Sequence, residues 1–186
     1  MRVFISLEIP KEIKEEIGKI QNNLKTAGIQ ARWVKPEIAH LTLAFLGETT
    51  PDKISPLGMI LENAAKEISP VNLQLEQVSC FPSPAKARII FLSLGGEIGK
   101  LNALASKIRQ ELKKEKIWFD EKPFVFHLTL ARLKNRQNLE KFIPNIKIKK
   151  IKFIGQTIAL KESRLTPQGP IYKTLKETSL ALASKK

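Results

Sequence analysis

The sequence predicts an α+β protein of two pseudo-symmetric lobes, each a mainly antiparallel sheet backed by helices, with a cleft between them. Three observations carry this reading. The pentapeptide HLTLA begins at His40 and again at His127, 87 residues on, and these are the only two histidines in the chain. The same displacement lays Val3-Phe4-Ile5-Ser6-Leu7 on Ile90-Phe91-Leu92-Ser93-Leu94, three positions identical and two conservative. Each of these β-rich segments is followed by a helical pattern. A displacement shared by several segments marks an internal repeat. The 186 residues, 42% hydrophobic, suit a single domain (1–186) whose halves join near 80–88.

The elements follow in order. A first strand covers residues 3–7. Pro10 suits the first position of a helix, where its missing N–H is no loss. Ile13, Ile17, Ile20 and Leu24 give that helix one apolar stripe, and Gly28 is its stop. A tryptophan-bearing stretch, Arg32-Trp33-Val34, leads into the first HLTLA strand. Thr50-Pro51-Asp52 starts a second helix that runs to about Ser69, before Pro70. A strand is expected from Val71 to Val78, then a proline-rich connector, CFPSPAKAR, from Cys80.

In the second half, the strand at 90–94 is followed by a stripe of Leu101, Leu104, Ala105, Ile108 and Leu112. Ile117-Trp118-Phe119 then leads into the second HLTLA. NRQNLEKFIPN reads as a polar loop or short helix. Two strands are expected over 149–160 and 171–178, joined by the turn-rich TPQGP. KIKIKKIKF, from Lys147, alternates Lys and Ile as a half-buried strand with one charged face. The final ASKK is expected to fray.

The formal net charge of +14 favours a polyanionic partner, nucleic acid first, with a lysine-rich solvated surface as the equal alternative. One cysteine, Cys80, excludes an internal disulfide and fits a reducing compartment. The opening MRVFISLEIP is apolar too briefly for a secretory h-region or a membrane span. The expectation is a soluble, cytoplasmic protein with no membrane partner.

Side chains alternate across a strand, so His40 and Thr42 share one face while Leu41 and Leu43 share the other. The same holds for His127 and Thr129 against Leu128 and Leu130. The leucines suit a core, and the two His-Thr faces can meet across a cleft. One imidazole can be neutral while its twin is protonated, which supplies a general base and a general acid together. The threonine hydroxyls can donate to oxygens that gain charge. In-line displacement at phosphorus uses such a set. A lone His-x-Thr is ordinarily just a half-exposed strand; two copies holding every histidine of the chain at equivalent places argue for catalysis. The residues alone leave the two histidines interchangeable.

Other chemistries lack their residues. There is no H-x-H, no H-E-x-x-H and no cysteine cluster, so no metal site is expected. There is no P-loop pattern and no glycine-rich dinucleotide fingerprint, and no Ser or Cys sits in a recognisable nucleophile setting.

Two H-x-T-x motifs half a chain apart resemble the 2H phosphoesterase superfamily. RVFISLEIP, the RWV at Arg32, HLTLAFLGE, the FPSP–AR–II stretch, HLTLAR and LTPQGPIY are similar, within it, to the RNA 2′,3′-cyclic phosphodiesterases, also called 2′-5′ RNA ligases. The likeness spans nearly the whole chain. It implies hydrolysis of a terminal 2′,3′-cyclic phosphate to a 2′-phosphomonoester on RNA ends, tRNA fragments among them, by a monomer. No metal, ATP or other cofactor is implied. It also assigns the roles: His40 as proton donor, His127 as proton acceptor, Thr42 and Thr129 as holders of the phosphate oxygens. With an RNA 5′-hydroxyl in place of water, the same site would form a 2′-5′ linkage.

Arg132 is the phosphate-binding residue that family pattern suggests, and Arg suits the task. It lies an odd number of residues from His127, so it reaches the cleft only if the strand ends, twists or bulges after Ala131. Phe45, at the same odd distance from His40, reads as core. Trp33, Phe81 and Phe126 are candidates for base stacking, with packing the commoner role for each. The alternatives to an RNA-end enzyme are a 2H phosphodiesterase for small cyclic phosphates and a non-catalytic RNA-binding module.

Overall fold

The computed structural model describes residues 1–122, 125–167 and 169–181; the ASKK end and Gln168 of the expected TPQGP turn lie outside them. In chain order the elements are β1 (Arg2–Glu8), α1 (Lys11–Thr26), β2 (Arg32–Trp33), β3 (His40–Glu48), α2 (Ile54–Glu67) and β4 (Val71–Phe81). They continue with β5 (Ala87–Gly96), α3 (Ile98–Lys114), β6 (His127–Gln137), β7 (Lys152–Gly155), β8 (Thr157–Thr166) and β9 (Gly169–Ser179). Every strand pairing among the described residues is antiparallel.

The strands form two sheets, ordered β3-β1-β8-β9 and β2-β6-β5-β4-β7. In each, an HLTLA strand lies beside the opening strand of its own repeat: β3, an edge strand, on β1, and β6 on β5. The next strand comes from the other half of the chain: β8 on β1, β4 on β5. The halves have therefore exchanged strands. Residues 80–88, expected to join the lobes, instead close a hairpin between β4 and β5 inside one sheet.

Both repeats build their helix in the same way. The stripe Ile13, Ile17, Ile20 and Leu24 is buried, as is Leu101, Leu104, Ala105, Ile108 and Leu112. Each helix ends in the same cap. Gly28 N–H bonds Lys25 O and Ile29 N–H bonds Leu24 O; in the second copy Lys116 N–H bonds Lys113 O and Ile117 N–H bonds Leu112 O. This is the Schellman arrangement, which needs a left-handed residue after the cap. Gly28 supplies it at φ 87°, and Lys116 adopts it at φ 52° in spite of its Cβ. Pro10 sits one place earlier than expected: the helix starts at Lys11, and the Pro10 carbonyl accepts from Ile13 and Lys14.

Three further expectations need correction. The strand expected at Val71–Val78 runs on to Phe81, so the proline-rich connector is shorter. Residues 147–150 are not strand; only Lys152–Gly155 pair, at the outer edge of the larger sheet, where charged side chains face water. The single strand expected over 149–160 is two strands broken at Gln156, and they belong to different sheets. NRQNLEKFIPN begins as the end of β6 and then includes a 3₁₀ turn at Ile143–Asn145.

The two sheets and the helices share one apolar core, which holds Val3, Ile5 and Leu7 of β1 together with Leu128 and Leu130 of β6. No helix is long and apolar enough to cross a membrane among the described residues.

Candidate active site

Both HLTLA strands present the alternation that the sequence predicts. Leu41, Leu43, Leu128 and Leu130 are fully buried, while His40, Thr42, His127 and Thr129 are half-buried and line one cavity of about 360 Å³. The cavity lies between the sheets, so each wall brings one imidazole and one hydroxyl.

Each strand then breaks step at the same point. Ile5 pairs with Ala44 but Ser6 pairs with Thr42, leaving Leu43 unmatched; Ile90 pairs with Ala131 but Phe91 with Thr129, leaving Leu130 unmatched. A bulge of one residue shifts the alternation by one, so two successive residues in each strand point inward. The next residue therefore returns to the cavity side. This is how Arg132 meets the condition set by its odd spacing: it lines the cavity. The same geometry corrects the reading of Phe45 as core, because Phe45 also lines the cavity, in the position that repeats as Arg132.

The bulge in β6 has its own support. Gln21, on the core face of α1 and only 3% exposed, donates from Nε2 to Leu130 O at 3.0 Å and to Val34 O at 2.6 Å. Val34 N–H also donates to Leu130 O at 2.9 Å. One buried amide thus ties the bulge that aims Arg132 to the segment carrying Arg32 and Trp33.

The two imidazoles are held identically. His40 Nδ1 lies 2.9 Å from Ile38 O, and His127 Nδ1 lies 2.7 Å from Val125 O. A carbonyl only accepts, so Nδ1 carries the proton and Nε2 of the neutral ring carries the lone pair. Each ring is also packed by two aromatics. Phe4 and Tyr172 lie 4.7 and 5.1 Å from His40, centroid to centroid, and Phe81 and Phe91 lie 5.1 and 5.4 Å from His127. Burial pushes both imidazoles below their ordinary value of 6.5. For His40 the hydrogen bond to the Ile38 carbonyl opposes this, Lys161 adds to it and Glu8 opposes it; for His127 the bond to Val125 opposes and Arg132 adds. Glu8 itself is paired to Lys161 at 2.8 Å and accepts from Ser6 Oγ at 2.8 Å.

Of the aromatic candidates, Trp33 lines the cavity, Phe81 packs on Phe91 and His127, and Phe126 is buried in the core. The sequence reading does not single out Phe4, Phe91, Tyr172, Gln21 or Arg32 as site residues. Phe4 and Phe91 fall on one another at the 87-residue displacement, and that is the available signal. For Gln21 it is a polar residue set among Ile17, Ile20 and Leu24 on the apolar stripe. Among the described residues no group of three His, Cys, Asp or Glu side chains is placed to share a metal ion.

Two lobes, each turning a His-x-Thr pair into one cleft, define the class of two-histidine phosphoesterases. Within it, the chain belongs to the LigT-like phosphoesterase family, whose model matches residues 7–91 and 95–172. An RNA 2′,3′-cyclic phosphodiesterase of Methanocaldococcus jannaschii is 35% identical over 95% of this chain and 99% of its own. One of Thermotoga maritima is 33% identical over 95% of this chain and 94% of its own. A crystal structure of a Thermus thermophilus protein superposes with a TM-score of 0.84 at 26% identity, covering 99% of this chain and 100% of the other. Escherichia coli LigT complexed with 3′-AMP shares the fold, with a TM-score of 0.74 at 22% identity and 98% of each chain covered.

Proposed function

We propose that this protein is an RNA 2′,3′-cyclic phosphodiesterase that opens a terminal cyclic phosphate to a 2′-phosphomonoester, with His40 as general acid and His127 as general base. The observation that carries the reading is the pair of equivalent His-Thr walls, each with its imidazole Nδ1 bound to a backbone carbonyl, facing one cavity that also holds Arg132. Full-length likeness to relatives named for this activity supports the substrate.

In the proposed step, His127 Nε2 takes a proton from water as the water oxygen bonds to phosphorus. The bond from phosphorus to the 3′-oxygen breaks on the opposite side, and protonated His40 gives that oxygen its proton. Thr42 and Thr129 donate to the non-bridging oxygens, and the Arg132 guanidinium offsets their charge. The neighbouring charges do not divide the roles by themselves: Lys161 and Lys14 act against a charged His40 and Glu8 acts for it, while Arg132 acts against a charged His127. The substrate phosphate brings the remaining negative charge that a protonated His40 needs. An RNA 5′-hydroxyl attacking phosphorus in place of water would form a 2′-5′ linkage by the same proton transfers.

A cavity of about 360 Å³ is the size of a single nucleotide, and this favours a second reading, a hydrolase of small cyclic phosphates. The first experiment is incubation with EDTA of RNA ending in a 2′,3′-cyclic phosphate, beside His40→Ala and His127→Ala. Opening to a 2′-phosphate, resistant to a 3′-specific phosphatase, is expected with EDTA present and lost in both variants. Opening abolished by EDTA, or retained in either variant, would overturn the mechanism.

A further inference from the structure

A second groove opens directly off the cavity. Its walls include Arg32, Arg132, Lys134, Asn135, Gln137 and the Gln30 segment, and it shares Arg32 and Arg132 with the cavity that holds the histidines. Among the described residues no carboxylate lines it. Elsewhere on this basic surface some cations are matched, Lys107, Lys114, Lys150, Lys161, Lys176 and Arg164 each lying within 4 Å of a carboxylate, and others, such as Lys35, Lys86 and Arg88, are not matched among the described residues. Arg32, Arg132 and Lys134 have no ion-pair partner among the described residues.

The arrangement is built into the backbone. Arg32 of β2 and Arg132 of β6 are direct cross-strand partners, and like charges so placed repel. The Gln21 amide and the Val34 N–H hold the two strands together at this point, and Gln137 Nε2 bonds Gln30 O at 3.2 Å at the groove's other end. An anion seated between the arginines would relieve that repulsion. The amides of Asn135 and Gln137 add donors and acceptors suited to phosphate and ribose.

We infer that this groove is a second subsite, which binds the phosphodiester backbone of the nucleotides leading up to the cyclic end. It rests on the proposed function, and it separates RNA from small cyclic phosphates: the cavity holds the terminal ring, and the groove grips the chain that follows it. Neither Lys134 nor Asn135 lines the cavity, so the two binding events are separable by mutation.

The test compares a nucleoside 2′,3′-cyclic phosphate with oligoribonucleotides of increasing length bearing the same end. The wild type is expected to gain in kcat/KM once internal phosphates are present. Lys134→Glu should lower kcat/KM for the oligonucleotides by roughly tenfold and leave the cyclic mononucleotide unchanged. Lys134→Ala should flatten the salt dependence of oligonucleotide KM by about 0.7–1 in log–log slope. Equal rates for all lengths, or equal losses on both substrates, would overturn the subsite while leaving the enzyme reading intact. No turnover of any length by the wild type would overturn the enzyme reading itself.

Discussion

Replacing Gln21 by Met keeps the length and bulk of the side chain and removes its two N–H donors. Leu130 O keeps the Val34 N–H at 2.9 Å, so the group left without its partner is Val34 O, which is only partly buried. Two lost bonds at about 1 kcal/mol each, with a fraction of the cost of stranding a carbonyl, give a loss of about 2–3 kcal/mol. For a chain of this size that is a fall in Tm of about 4–12 °C. The functional effect is separate. Without the amide, the bulge after Leu130 is no longer tied to the Arg32-Trp33 segment, and Arg132 loses its fixed aim. KM for cyclic-phosphate RNA should rise by about tenfold while kcat changes by less than about threefold, because the imidazoles keep their own carbonyl anchors. Steady-state kinetics well below the variant's melting transition, with folding checked by circular dichroism, reads both parameters. A lower Tm with unchanged KM would show that Gln21 merely stabilises the fold and would refute the link to Arg132.

Four other outcomes follow from the same geometry. Because kcat/KM reports groups of the free enzyme and burial holds both imidazoles below 6.5, the pH optimum of kcat/KM should lie on the acid side of that value, and a maximum above about pH 7.5 would refute the paired acid and base. The same shifts act on stability: the unfolded chain takes up protons first as pH falls through 6.5, so these two residues destabilise the fold below that point and not above it, and urea titrations of wild type and His40→Gln at pH 5 and 8 should differ accordingly. Arg132→Ala should raise KM for the cyclic phosphate more than Arg132→Lys, since lysine keeps the charge and loses the forked donors. Gly28→Ala should cost about 1 kcal/mol through backbone conformation alone; a Cβ there would meet nothing within 4 Å, and calorimetry would register the change.

The centre of each lobe is readable from sequence because repetition and alternation act together there. His40, Thr42, His127 and Thr129 face the cavity for the reason the sequence offers: leucines at the intervening positions are drawn into the core. The helical stripes from Ile13 and Leu101 are legible on the same physical ground. What escapes reading depends on pairing between distant segments. Alternation alone sends Phe45 inward, and only the unmatched Leu43 reverses that. The split of 149–160 at Gln156 is invisible locally, since both pieces are good β sequence and differ only in which sheet accepts them. Tyr172 reaches His40 because β9 is the outer partner of β8, a fact of topology and not of composition.

The strand exchange also decides what a cut in the chain would do. The polypeptide passes from one sheet to the other four times, at β1–β2, β2–β3, β3–β4 and β7–β8. Neither copy of HLTLA can be excised with a complete sheet around it, because each sheet borrows strands from the other half. A gene split between the motifs would encode two fragments that are each missing part of their own scaffold. Whatever doubled this sequence, the product is indivisible: the cleft exists only while the halves are interlaced, and the spacing of its two imidazoles is set by two sheets packed on one core and not by a hinge.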